Sequence, residues 1–178
     1  FMVRYIFIVF SFLFFLSCSP IISKIIPFKD LPPPTGEFNV GTRIYNWKDE
    51  TREEWFTEEE GDIRKIVVQV WYPSLDIGDE KMSYLDYPDQ SIKHISDYIE
   101  LPKFLVTPIE YVKSNSYLNI DIKPEKEPYP LVIFSHGLGG MRMQNTIQME
   151  ELTSKGFIVI AIDHPYDANI TIFNDGSN

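Results

Sequence analysis

Two short stretches of this chain carry the residue types that can do chemistry. The first is Ser135-His136-Gly137-Leu138-Gly139-Gly140, and the second is Asp163-His164 with Asp167 close behind. Glycines beside a histidine, directly after an apolar run, let the backbone turn tightly and bring bare N–H groups close to a ligand. Such groups can meet the oxygen that becomes an anion when a nucleophile adds to an ester carbonyl. The pattern is not G-x-G-x-x-G, and it lacks the Gly-Lys-Thr ending of a phosphate loop, so nucleotide binding is a poor fit. The same glycines also suit an ordinary strand-to-helix turn in which they serve packing alone. Spacing does not separate these two readings. His164 and Asp167 form a second pair, but the sequence puts no serine beside them, and a loop contact is the simpler role. His94 falls in a polar helical stretch and reads as surface. Met141, Met143 and Met149 read as core and loop filler rather than as ligands.

Composition narrows the field. A chain of 178 residues is expected to hold one domain. With 16 basic and 26 acidic side chains it carries a net charge of −10, which argues against nucleic acid as a partner. One cysteine and three histidines exclude a disulfide framework and a multi-cysteine metal centre, and no cofactor or metal is expected. At 44% apolar residues, a packed core is within reach.

The first residues read as an export signal. Phe1 to Ser17 hold a single charge, Arg4, ahead of an apolar run from Tyr5 to Leu16. As a helix that run covers about 18 Å, short of the ~30 Å hydrocarbon core, so a cleaved signal peptide over residues 1–17 is expected. Phe15-Leu16-Ser17-Cys18-Ser19 resembles a bacterial lipobox, with Phe15 where leucine is usual. The resemblance implies that Cys18 is lipidated and that the protein is an exported, membrane-anchored lipoprotein. Two alternatives stand beside it. Cys18 is a chance thiol near a cleavage site, or the segment is an uncleaved anchor reaching Ile26, though Pro20, Lys24 and Pro27 interrupt it. Residues 18–34 end in Leu-Pro-Pro-Pro and read as an extended tether.

The elements that must position the glycine loop follow from apolar patterning. Thr42–Trp47 reads as a strand, the acidic stretch Asp49–Asp62 as a solvated hairpin loop, and Arg64–Tyr72 as a second strand. Short helices are expected within Tyr84–Glu100 and Phe104–Val112. Leu131–Phe134 is a continuous apolar run, expected to be a central strand buried on both faces. Met143–Lys155 reads as a helix closed by Gly156, and Phe157–Ile162 as the next strand. Strand, loop, helix and strand in this order make a βαβ unit, hence an α/β fold with a mostly parallel sheet and helices on both faces.

Several separated segments resemble the plasma-type platelet-activating factor acetylhydrolase family and its bacterial relatives. They are Thr35-Gly36-Glu37-Phe38-Asn39-Val40-Gly41-Thr42, Val70-Trp71-Tyr72-Pro73, Asn115-Ser116-Tyr117, the run from Tyr129 to Gly139, and Gly156-Phe157-Ile158-Val159 leading to Asp163-His164. The resemblance implies an α/β-hydrolase fold over residues 35–178. It also implies a serine esterase for short or oxidised acyl esters, including those of phospholipids, without a metal. Carried over, Leu138 is the oxyanion-hole amide donor, with His136, Gly137 and Gly139 shaping its loop. The family places its nucleophile on a G-x-S-x-G elbow followed by an Asp and a His, and none of the 9 glycines here begins that motif. The expectation is therefore the N-terminal half of a longer enzyme, with nucleophile, acid and base outside this chain. Alone, the chain is expected to be inactive, its cut sheet leaving an apolar edge. The alternative is a lipoprotein that uses a hydrolase-like scaffold to bind a ligand or partner without catalysis.

Overall fold

The computed structural model describes residues 30–178. The expected signal peptide (residues 1–17), Cys18 and most of the tether lie outside the described residues.

The β-branched and aromatic residues of Ile63–Ser74 (β2) pair in antiparallel register with Asn39–Glu53 (β1), from Asn39 opposite Ser74 to Asp49 opposite Arg64. β1 is thus longer than its apolar part. Half-buried Asp49 and exposed Glu50–Glu53 continue the strand, and the acidic loop shrinks to Glu54–Asp62, since hairpin pairing tolerates charges on a solvated end. Lys81–Ser83 (β3), Lys113–Leu118 (β4), Leu131–Ser135 (β5) and Ile158–Asp163 (β6) complete a six-stranded sheet in the order β3-β4-β1-β2-β6-β5. β5 and β6 pair in parallel, as the βαβ reading requires, and so do β1 and β4. The β1–β2, β2–β6 and β3–β4 pairs are antiparallel, so the described sheet is mixed.

Runs of successive buried residues, the mark of a strand covered on both faces, fall on β2 (Val67, Val68 and Gln69), and also on β1 (Val40–Thr42) and β4 (Ser114–Ser116). Apolar β5 is instead an edge strand of the described sheet, and its residues alternate. Val132 and Phe134 pack into the core, whereas Leu131 and Ile133 are 54% and 64% exposed. The physical reason is the covering layer. Helix α3 (Thr146–Ser154) lies over one face of the sheet, where Met149 and Leu152 meet Val40, Trp71, Val159 and Ala161. Fully burying a side chain such as Val40, Met149 or Val159 contributes about 1.5–3 kcal/mol. A second cluster joins α1 (Pro88–Tyr98) through Ile92, α2 (Lys103–Val106) through Val106, and Met143 just after the glycine loop.

α3 starts later than its periodicity suggests. Met141–Asn145 turn first, with the Gln144 N–H on the Met141 carbonyl and the Thr146 N–H on the Met143 carbonyl. Its C-terminus is a Schellman cap. Gly156, at φ +93°, donates to the Thr153 carbonyl, and Phe157 donates to that of Leu152. Before β1, Thr35–Phe38 dock on this helix end, where a Cβ on Gly36 would come within 2.1 Å of the Ser154 carbonyl oxygen. The last residues of the expected tether are likewise fixed. Leu31 donates its N–H to the Lys113 carbonyl, and the Asn115 amide donates to the carbonyls of Leu31 and Pro32. Proline carbonyls remain good acceptors, so a polyproline stretch can lie against a strand as readily as span open water.

Candidate active site

The glycine loop leaves the carboxyl end of β5, the position where open α/β sheets present ligand-binding groups. Gly137 to Gly140 form a turn closed by the Gly140 N–H on the Gly137 carbonyl at 2.8 Å. Gly139 occupies the third position at φ +72°, which type II turns reserve for glycine. A Cβ there would also meet the Tyr98 hydroxyl at 2.6 Å. Gly137 is different: a Cβ on it meets nothing within 4 Å, so among the described residues this glycine is not demanded by packing.

Leu138, the second residue of the turn, is 83% exposed. Among the described residues its N–H donates to no other group, while the Gly139 N–H donates to the Asp167 carbonyl at 2.7 Å. Among the described residues the Leu138 N–H is therefore an unpartnered backbone donor on a fixed frame, as is the neighbouring Gly137 N–H. That is what stabilisation of a developing oxyanion requires.

The frame comes from the loop after β6. The His164 N–H donates to His136 Nε2 at 3.1 Å, and the Asn169 N–H donates to the Gly140 carbonyl at 2.8 Å. The imidazole of His136 is buried, with Nδ1 2.8 Å from the Gly137 carbonyl. His164 Nε2 lies 2.8 Å from Ser135 Oγ, a contact the sequence did not reveal. Burial pushes the His164 pKa below the ordinary histidine range, helped by neighbouring His136 and Arg64. Neutral His164 can then accept the Ser135 hydroxyl proton. Among the described residues no carboxylate is bonded to its Nδ1, so the pair lacks the orienting third member of a hydrolytic triad. Asp167 serves the loop through its main chain.

Arg142 escaped the sequence reading altogether. Its side chain is 2% exposed and is held between Asp163 and Asp86, while its own N–H donates to Asp163 Oδ1 at 2.6 Å. Asp163, the last residue of β6, thereby clamps the exit of the glycine loop to the same strand end that holds its entrance. The available signal was a lone arginine between two methionines, two residues after the last glycine of the loop.

His94 does not join this constellation. It borders a cleft of about 350 Å³ with Glu54, Lys65 and Phe173, which the loop after β6 also lines through Tyr166 and Asn169. The Ser154 hydroxyl donates to the Glu151 carbonyl and that of Ser177 to the Asp175 carboxylate, so neither serine faces the glycine loop's histidines. Met143 and Met149 are buried in the two core clusters.

The family model described as platelet-activating factor acetylhydrolase, isoform II, matches residues 25–176. The platelet-activating factor acetylhydrolase of Cavia porcellus is 55% identical over 38 residues, which cover 21% of this chain and 9% of that protein. The Gallus gallus enzyme is 46% identical over 46 residues, covering 26% of this chain and 11% of that protein. Among solved structures, a ferulic acid esterase from Streptomyces cinnamoneus superposes with a TM-score of 0.65 at 26% identity. It covers 84% of this chain but only 40% of the esterase. The aligned part is thus about two-fifths of that structure, and about a tenth of each curated relative.

Proposed function

The chain belongs to the platelet-activating factor acetylhydrolase isoform II family and has an α/β-hydrolase-like fold, and from that premise we propose that it supplies the oxyanion half of a serine carboxylic-ester hydrolase. One observation carries the proposal: the free Leu138 N–H at the head of β5, on a turn braced by His136 and by the loop after β6. In this reading the substrate carbonyl oxygen lies against the Leu138 N–H. A second donor follows the nucleophilic serine, which this chain does not contain on a G-x-S-x-G elbow. As the serine adds, negative charge moves onto that oxygen, and a donor already aimed at it needs no reorganisation. The substrates proposed are esters of short or oxidised acyl groups, including those of phospholipids. Cys18, lipidated after removal of residues 1–17, would keep the site at a membrane surface; a single acyl chain binds only marginally, so multiple acylation is proposed there.

The test is hydrolysis of short-chain p-nitrophenyl esters, and of a phospholipid with a short second acyl chain, by the complete gene product. Turnover abolished by a fluorophosphonate that labels one serine supports the reading. Ester binding without hydrolysis would replace it with the non-catalytic ligand-binding role. Mass spectrometry of the mature N-terminus tests the anchor, and an unmodified Cys18 would reject it.

A further inference from the structure

The Leu138 N–H and the Gly137 carbonyl are the two ends of one planar trans peptide, so they point in opposite directions. Whatever fixes the carbonyl aims the N–H. Two donors converge on that carbonyl: the Gly140 N–H at 2.8 Å and His136 Nδ1 at 2.8 Å. The opposite ring nitrogen, Nε2, faces the His164 N–H at 3.1 Å and must accept from it. Only the neutral imidazole with its proton on Nδ1 satisfies both contacts. A ring protonated at Nε2 would set a donor against a donor in a buried site.

We propose that His136 is a positioning residue that aims and polarises the oxyanion donor from behind, by donating Nδ1–H to the Gly137 carbonyl in a tautomer locked by the His164 backbone. A hydrogen bond to a peptide oxygen draws electron density toward it and leaves the N–H of the same peptide a stronger donor. The histidine touches neither substrate nor nucleophile. Its contribution appears only when charge develops on the substrate oxygen, so it acts on turnover rather than on substrate affinity. His164 supplies the second anchor with its main chain, which explains why the loops after β5 and β6 are stitched together at this point.

The inference rests on the esterase reading and is tested separately from it. Asparagine places an amide donor near the position of Nδ1, whereas glutamine places its amide near that of Nε2. In the complete gene product, His136→Ala should lower kcat roughly 10- to 100-fold with KM little changed, below the ~100- to 1,000-fold loss of a whole donor. His136→Asn should recover a large part of that loss, and His136→Gln should not. In ¹⁵N-histidine-labelled wild-type protein, His136 should show the Nδ1–H tautomer. An active wild type whose His136→Ala kcat stays within twofold overturns the inference alone, as does equal rescue by Asn and Gln. An Nε2–H tautomer overturns it whatever the turnover. A wild type that hydrolyses no ester refutes the esterase reading, and the inference with it.

Discussion

Replacing Arg142 with methionine should be among the most damaging single changes outside the glycine loop. The arginine is 2% exposed and its guanidinium is shared between Asp163, 1% exposed, and Asp86, 17% exposed. Methionine fills much the same space but leaves the Asp163 carboxylate in an interior that offers it one remaining donor, the Arg142 backbone N–H. Breaking a buried ion pair from one side costs about 3–5 kcal/mol, because the stranded charge keeps its desolvation penalty. For a chain of this size each kcal/mol lowers the melting temperature by roughly 2–4 °C, so a drop of about 6–20 °C follows. Arg142→Met with Asp163→Leu removes both charges of that pair, but it leaves the Asp86 carboxylate without its cation and orphans the backbone N–H that donates to Asp163 Oδ1. An unsatisfied buried donor costs about 1–3 kcal/mol, so the double variant should recover part of the loss and no more. Urea denaturation of the wild type, both single variants and the double variant closes the cycle. A loss under about 1 kcal/mol for Arg142→Met, or strict additivity in the double variant, would refute the reasoning, since either result means the cluster is hydrated rather than buried.

Glu150 is 1% exposed and accepts from the Asn115 N–H, the Asn115 amide and the Ser116 hydroxyl, although burial pushes its carboxyl pKa upward. Glu150→Ala removes a costly charge yet orphans those donors, and should destabilise by about 2–4 kcal/mol in chemical denaturation. Gly139→Ala forces a side chain to φ +72° and into the Tyr98 hydroxyl, and should lower the melting temperature, whereas Gly137→Ala should be nearly silent in the same assay. His164 binds its proton less readily folded than unfolded, so its contribution to stability is present above the unfolded pKa of about 6.5 and is lost as pH falls through the lowered folded value. Urea midpoints measured from pH 7.5 to 5 should therefore fall more steeply for the wild type than for His164→Gln.

The local elements were readable because their signals are local. Val, Ile and Trp crowd β2, Gly156 closes α3, and the strand, glycine loop, helix and strand come in the order a parallel βαβ unit demands. Which strand sits centrally was not readable. A continuous apolar run such as Leu131–Phe134 tells that both sides of a strand are apolar, not that both are covered in the described part of the sheet. The Gly137–Gly140 turn was legible through its glycines, and Gly139 carries the left-handed φ that only glycine adopts freely. Its bracing was not, because His136–His164, Ser135–His164 and Arg142–Asp163 are contacts across 21 to 29 residues created by β5 and β6 lying side by side. Asp86 is more remote still, 56 residues from its arginine. No periodicity or motif spacing encodes such pairs, and they emerge only once the sheet is assembled.

The central claim is that the Leu138 backbone N–H meets the oxyanion. Leu138 occupies the second position of its turn, where the fixed φ of proline fits, and the preceding Gly137 has open space around it. Leu138→Pro therefore deletes one N–H with little disturbance to the loop, while Leu138→Ala keeps it. The measurement is kcat for a short-chain p-nitrophenyl ester in the complete gene product carrying each substitution. A fall of about 100- to 1,000-fold for Leu138→Pro, with a far smaller one for Leu138→Ala, is the predicted result. Wild-type turnover in a folded Leu138→Pro variant would contradict the account.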